Sequence, residues 1–262
     1  MTQSTPLATL FDLSGKTALI TGGSRGIGFQ MGEALGEFGA RLIITARKED
    51  ELKEAVAKFA EQGIEARAIS ADLGKNGEVD RVMEDIEKND DRVDILINNA
   101  GTSWGAHTED HPPEAWDKLV ALNMTAPFLL AQAVAKRWML TQKHGRIINV
   151  ASVEGLQGHH PRMIGTIAYN TTKGGLINFT RALAAEWAQH GINVNAIAPG
   201  YFPSKLTGYV ISKFEKELVN DTPRGKLGDE TDLKGAALLL ASGASAHITG
   251  QILVVDGGAS VI

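Results

Sequence analysis

Tyr169 and Lys173 are the residues with most to offer chemically. Four positions apart in Tyr169-Asn170-Thr171-Thr172-Lys173, they share one face of a helix. An ammonium beside a phenol favours the phenolate, so Lys173 is expected to lower the Tyr169 pKa and suit it to giving or taking a proton. Such a pair alone is common by chance. Ser152 adds to it: it ends the apolar run Arg146–Ala151 and offers a hydroxyl to a substrate oxygen. Asn123, in Leu122-Asn123-Met124, is an amide among apolar neighbours. It is either a satisfied core group or the holder of a proton-relay water.

A second constellation lies near the start. Thr21-Gly22-Gly23-Ser24-Arg25-Gly26-Ile27-Gly28 follows an apolar run and opens a helix-period stretch. Glycines let backbone N–H groups approach a pyrophosphate, and the helix N-terminus adds partial positive charge. A dinucleotide is expected here, contacted by Gly22, Ser24, Arg25, Gly26, Ile27 and Gly28. Tyr169 would then handle the proton while a nicotinamide handles hydride. The next strand ends Thr45-Ala46-Arg47-Lys48, with no carboxylate for a free ribose 2′-hydroxyl. Arg47 and Arg25 suit a 2′-phosphate, which favours NADP(H) while leaving NAD(H) open.

Positioning these groups requires elements of a definite kind. Apolar runs at Ala18–Thr21, Arg41–Thr45, Ala66–Ser70, Ile95–Asn98, Arg146–Ala151, Asn193–Ala198 and Ile252–Val255 are read as strands. Helices are expected near Ile27–Phe38, Glu49–Gln62, Gly77–Asn89, Pro113–Leu140, Ile167–Gln189 and Asp229–Ser242. The alternation predicts an α/β fold, a single-domain doubly wound parallel sheet of Rossmann type with helices on both faces. Residues 1–13 read as a loose arm and residues 14–262 as the domain. Ligands should gather at the carboxyl ends of the strands. Tyr201–Lys226, bounded by Pro203 and Pro223, breaks the alternation there and is either a lid or a surface helix pair.

Composition narrows the function. The 262 residues are 43% hydrophobic and 22% charged, with a formal net charge of −5 and no cysteine. Disulfides, thiolate metal sites and cysteine nucleophiles are excluded. The acidic balance speaks against nucleic-acid binding. No signal peptide and no apolar stretch near the ~20 residues of a membrane span are read, so a cytoplasmic protein is expected. The apolar stretch around Trp116–Trp138 reads as core and subunit interface. His159 and His160 are adjacent, point different ways and have no following carboxylate at ligand spacing, so no metal is expected.

Taken in order, these pieces are similar to the short-chain dehydrogenase/reductase family over nearly the whole chain: the Thr21–Gly28 turn, Asp72, Asn98–Gly101, Asn123, Ser152, Tyr169 with Lys173, Pro199-Gly200, and Val255-Asp256-Gly257-Gly258. The resemblance implies an oxidoreductase interconverting a carbonyl and a secondary alcohol. Tyr169 would be the general acid/base and Ser152 the carbonyl's partner. Lys173 would bind the nicotinamide ribose, and Asn123 would hold the relay water. Asp72 and Leu73, Asn99, Ala100 and Gly101, and Pro199, Gly200, Phe202 and Ser204 would contact the cofactor. A homotetramer is also implied, built from the two long helices and the C-terminal segment. A non-catalytic nucleotide-binding module is the remaining reading, and the presence of all four catalytic-type residues speaks against it.

Two features depart from the family pattern. Seventeen positions (169 − 152) separate Ser152 from Tyr169, more than is usual, and the extra residues within Gly155–Ile167 are expected to reshape the pocket rim. Phe202 and Ser204 stand where an aliphatic residue and threonine are frequent. For the substrate, Asn99–Ala106 and Phe202-Pro203-Ser204 resemble 3-oxoacyl-carrier-protein reductases of the rhamnolipid-biosynthesis kind. Pro199–Phe202 and Thr222-Pro223-Arg224-Gly225 resemble gluconate 5-dehydrogenases. The thioester is placed first, with Arg162, Lys205 and Lys213 as rim cations. A polyol acid would instead use Glu154, Gln157 and His159.

Overall fold

The computed structural model describes residues 6–89, 91–159 and 163–262. Seven strands, β1 (Thr17–Thr21), β2 (Arg41–Ala46), β3 (Ala66–Ser70), β4 (Ile95–Asn98), β5 (Gly145–Val150), β6 (Ile192–Pro199) and β7 (Ile252–Val255), form one sheet. Its order is β3-β2-β1-β4-β5-β6-β7, and every pairing is parallel. Strands covered on both faces should read as unbroken apolar runs, and β1, β4, β5 and β6 are buried at every position. The order reverses between β1 and β4, so a crevice opens at their carboxyl ends.

The helices are α1 (Leu7–Phe11), α2 (Gly26–Glu37), α3 (Glu49–Glu61), α4 (Glu78–Lys88), α5 (Pro113–Gln142), α6 (Ile167–Trp187), α7 (Gly208–Asn220) and α8 (Lys234–Ala241). One core layer joins Leu35 of α2, Phe59 of α3 and Leu240 of α8 to the sheet. The opposite layer joins Met83 of α4, Leu130 of α5 and Ala184 of α6. Helix α4 shows why these segments are helical: Val79, Val82, Met83 and Ile86 recur on one face and are buried, while the other face is charged.

Several expectations need correction. Residues Leu7–Phe11 of the N-terminal segment form a helical turn, and Leu13 is buried. Helix α8 starts at Lys234 rather than Asp229, because Asp229 and Asp232 are engaged by Lys226 in a tight turn. The Tyr201–Lys226 segment contains α7, kinked at Phe214, with Leu218 buried beneath it. Helix α5 is long and apolar enough to cross a membrane by length and composition, contrary to the sequence reading. Half of its most apolar window is buried within this fold. Two stretches of α5, Ala121–Thr125 and Ala135–Met139, are π-helical.

Candidate active site

The carboxyl ends of β1, β2 and β4 build a cradle. Gly22 and Gly26 have positive φ, 65° and 54°, which only glycine adopts without strain. A Cβ on Gly28 would strike the Gly22 carbonyl and the Asn99 amide, so the turn closes tightly against the strand after it. Asn99 Nδ2 donates to the carbonyls of Thr21 (2.9 Å) and Gly22 (3.1 Å), and Thr21 Oγ1 accepts from the N–H groups of Asn99 and Ala100. These bonds lock the Asn99–Gly101 segment beside the turn. Arg25 stands at the N-cap of α2 with extended backbone and gives no side-chain cap among the described residues. The first-turn N–H groups beyond Ser24 and Gly26 thus keep their capacity for an anion. Ser204 faces Gly26 across the opening.

Cations surround the far end of this cradle. Arg25 reaches Glu51 at 2.7 Å, Lys48 reaches the same carboxylate at 3.2 Å, and Lys205 also bears on it electrostatically. Arg47 is exposed at the end of β2, and Asp72 and Leu73 follow β3, Leu73 buried and Asp72 partly so. The expected cofactor residues therefore share one sheet edge, and the open glycine turn, uncapped helix and cation cluster fit a dinucleotide phosphate. Phe202 is the exception. Its ring is buried in the core against Gly228, so only its main chain remains for such a contact.

Ser152, Tyr169 and Lys173 meet at the ends of β5 and α6. Lys173 is buried, donates to the Val150 carbonyl at 2.6 Å, and lies 5.6 Å from the centroid of the Tyr169 ring. Burial pulls its pKa down to about 8. Burial and the Glu154 charge push the Tyr169 phenol up to about 12, with Ser152 acting against the rise. The sequence expectation was a lowered tyrosine pKa. In this structure desolvation governs, because the ammonium is turned over the ring and toward the main chain.

Asn123 lies in the first π-helical stretch and is 1% exposed. Its side chain is fully engaged: Oδ1 accepts from the Thr102 N–H at 3.0 Å, and Nδ2 donates to the Thr102 carbonyl at 2.9 Å and to Thr172 Oγ1 at 3.1 Å. It therefore staples the Asn99–Thr102 segment to α6, with Gly101 between Asn123 and Lys173. Four residues later comes Pro127, which has no N–H to give the Asn123 carbonyl. The Asn123 amide itself is fully committed within the protein.

A cavity of about 930 Å³ opens on the turn that follows Ser152, walled by Val153, Glu154, His159, Tyr201 and Leu218 among others. Glu154 is its hub. It accepts from His159 Nδ1 (2.9 Å), Asn170 Nδ2 (2.8 Å) and the Tyr201 hydroxyl (3.0 Å). Burial opposes its charge, but these donors outweigh burial and hold its carboxyl below the usual range. The Glu154 bond raises the His159 pKa in turn, against burial. Burial and the Glu154 charge raise the Tyr201 phenol. The sequence pointed to Glu154, Gln157 and His159 but not to Tyr201 or Asn170. The signals for those two were their places, directly after Pro199-Gly200 and directly after Tyr169. The rim expectation for His160, Pro161 and Arg162 lies outside the described residues.

An open parallel sheet with a glycine cradle at its switch point and a Ser–Tyr–Lys cluster at the next strand ends defines a nucleotide-dependent oxidoreductase class. The short chain dehydrogenase profile matches residues 16–214. The chain belongs to the short-chain dehydrogenase family. It is 37% identical over 254 residues to the gluconate 5-dehydrogenase of Gluconobacter oxydans, covering 96% of this chain and 97% of that one. It is 36% identical over 254 residues to the rhamnolipids biosynthesis 3-oxoacyl-[acyl-carrier-protein] reductase of Pseudomonas aeruginosa, covering 95% and 97%. The crystal structure of a gluconate 5-dehydrogenase from Burkholderia cenocepacia in complex with NADP and tartrate superposes with a TM-score of 0.91 at 35% identity, covering 97% and 99%.

Proposed function

We propose that this chain is an NADP(H)-dependent oxidoreductase that interconverts a ketone and a secondary alcohol on a hydroxylated acid of the keto-gluconate kind. The observation that carries the substrate reading is the Glu154–His159–Tyr201 cluster in the cavity wall beside Tyr169. These groups already bond one another, and together they present a polar wall that several substrate hydroxyls match better than an aliphatic chain does. The gluconate 5-dehydrogenase relatives support the same choice. The thioester reading, first on sequence, is supported by the 3-oxoacyl-[acyl-carrier-protein] reductase relative of Pseudomonas aeruginosa and by the apolar side of the cavity at Val153, Leu218 and Leu227.

When bound, the nicotinamide supplies or accepts the hydride. The chain's own residues handle everything else. Tyr169 remains protonated at neutral pH, the state that gives a proton to the carbonyl oxygen in reduction. Ser152 offers its hydroxyl to that same oxygen and helps to orient it. Lys173, anchored on the Val150 carbonyl, steadies the Tyr169 ring and holds a ribose hydroxyl. Asn123 keeps the Asn99–Thr102 segment in register with α6. Arg25 and Arg47 take the 2′-phosphate, Arg25 by exchanging Glu51 for it.

In this reading residues 14–262 form the catalytic domain of a cytoplasmic homotetramer. Support for assembly comes from the apolar side chains that α5 leaves exposed, Trp116, Phe128 and Leu129, and from Val261 and Ile262 at the C-terminus. A cysteine-free chain needs no oxidising compartment. The test is NADPH oxidation with 5-ketogluconate and an acetoacetyl thioester side by side. Turnover confined to the keto acid is the expected result, and turnover confined to the thioester overturns the substrate reading.

A further inference from the structure

The charges around the large cavity are satisfied unequally. Glu154 and His159 are bonded to each other at 2.9 Å. Lys226 is bonded to Asp229 at 2.7 Å and to Asp232 at 3.2 Å. Asp256 accepts from the main-chain N–H groups of Gly258 (2.9 Å) and Ser260 (2.8 Å). Arg224 differs from all of these. It lines the same cavity and is exposed, and among the described residues no carboxylate pairs with it and no side-chain hydrogen bond holds its head. Asp221, exposed in the same wall, makes no ion pair with it.

The base of Arg224 is fixed even though its head is free. Its main-chain N–H donates to the Gly257 carbonyl at 3.0 Å. Gly257 has φ 66°, and a Cβ there would stand 3.2 Å from Arg224 Cβ and 3.3 Å from Cγ, so the arginine stem packs on a glycine that leaves room for it. Sheet register locates this anchor. Strands β5, β6 and β7 are consecutive neighbours. Val150 of β5 lies level with Ile197 of β6, and Pro199 of β6 lies level with Val255 of β7. Ser152, Tyr201 and Gly257 therefore leave three adjacent strands along one edge. Neighbouring strands are about 4.8 Å apart, so the Arg224 anchor stands about 10 Å along that edge from the strand that bears Ser152. The arginine side chain covers part of this distance. An acid whose carboxylate is several carbons from its carbonyl covers the rest. A planar guanidinium matches a carboxylate in two parallel hydrogen bonds.

We propose that Arg224 is the anion anchor of the substrate site: its guanidinium takes the carboxylate of the hydroxylated acid while the remote ketone lies at Ser152 and Tyr169. This inference rests on the hydroxylated-acid reading above and names the residue that selects an acid over an uncharged polyol. Lys205 and Lys213, the rim cations expected from sequence, do not line this cavity.

The test uses the full chain as wild type, Arg224→Gln and Arg224→Lys. Calorimetry measures the binding of gluconate, and of the uncharged polyol glucitol, to the enzyme–NADPH complex, in which neither is oxidised. Gluconate binding is repeated at low and high salt, and kcat and KM are measured for 5-ketogluconate. The glutamine variant should weaken gluconate binding and raise the keto-acid KM about tenfold, the lower end for a charged hydrogen bond because Arg224 is exposed. Its kcat, glucitol binding, NADPH binding and thermal midpoint should match the wild type, since the contact is made equally before and during the reaction. The lysine variant keeps the charge without the fork and should recover part of the loss. Salt should weaken gluconate binding in the wild type and much less in the glutamine variant. Equal gluconate affinity in these two proteins overturns the proposal, as does a wild type that does not bind gluconate or a glutamine variant that loses NADPH affinity to the same extent. A wild type that binds gluconate through Arg224 without reducing 5-ketogluconate leaves the anchor standing and sinks the substrate reading alone.

Discussion

Gly155 lies against the main chain of Lys173 so closely that a Cβ on it would stand 2.6 Å from the Lys173 carbonyl carbon and 2.7 Å from the Gly174 nitrogen. The turn that carries Ser152 and Glu154 is thereby pressed onto the helical turn that carries Tyr169 and Lys173. Gly155→Ala must push the two apart, since backbone rather than a flexible side chain opposes the new methyl. A displacement of about 1 Å between reacting groups costs on the order of a hundredfold in rate. The expected outcome is a kcat/KM lower by about that factor, with NADPH affinity intact. Wild-type kinetics would show that the turn can slide without consequence.

Tyr169 is the only phenol beside Ser152 and Lys173 among the described residues, and its hydroxyl is the proton donor of the proposed reaction. Tyr169→Phe keeps the ring under the Lys173 ammonium and removes the hydroxyl that gives the proton. Positioned acid–base groups contribute about 10²–10⁴ in rate, so kcat should fall by that range. NADPH binding, read by fluorescence, should hold. A variant with near-normal turnover would remove Tyr169 from the mechanism.

The cofactor end makes a prediction with two signs. Arg25 is paired with Glu51 at 2.7 Å, and Lys48 shares the same carboxylate. A 2′-phosphate must compete with Glu51 for Arg25. Glu51→Gln should therefore tighten NADPH binding, and Arg47→Asp should weaken it and shift preference toward NADH. One charged hydrogen bond is worth about 1.5–3 kcal/mol, though exposure of Arg25 and Arg47 places the effect at the lower end. Titration with 2′,5′-ADP and 5′-AMP separates the phosphate from the rest of the cofactor. Equal responses to both nucleotides in either variant would show that these side chains do not face the phosphate.

The parts of this site that were legible in sequence are local. Unbroken Val and Ile runs announce strands buried on both faces, and the glycine turn and the Tyr169–Lys173 spacing each lie within eight residues. The Glu154 hub was not legible as a hub, because its donors come from 5, 16 and 47 positions away and meet only when β5, β6 and α6 pack. The π-helical turn at Asn123 was equally hidden, although Pro127 is in plain view. The Tyr169 pKa went the opposite way from expectation for a related reason. Spacing shows that Lys173 is near, but burial decides which charge survives, and burial belongs to the folded chain.

Lys173 supplies a prediction about stability. Its folded pKa is about 8 against an ordinary 10.5, with burial as the cause. Below pH 8 both folded and unfolded chains hold the proton, and the folded chain bears the full cost of a buried ammonium, about 3 kcal/mol. Between about pH 8 and 10.5 the folded chain has released the proton while the unfolded chain retains it. The unfolded state then binds more protons, so stability rises with pH. Above about pH 10 the buried Tyr169 works the other way, since the unfolded phenol ionises first. The comparison therefore belongs between pH 7 and 10, in the chain without cofactor. Lys173→Met removes the titrating group and, with it, the donor to the Val150 carbonyl. The loss of that bond costs about 1–3 kcal/mol at every pH, so it offsets the two curves without tilting them. Urea denaturation at several pH values should show the wild type gaining on the methionine variant by about 2–3 kcal/mol from pH 7 to pH 10. Parallel curves would mean that the ammonium is solvated in the folded state and that burial of Lys173 carries no cost.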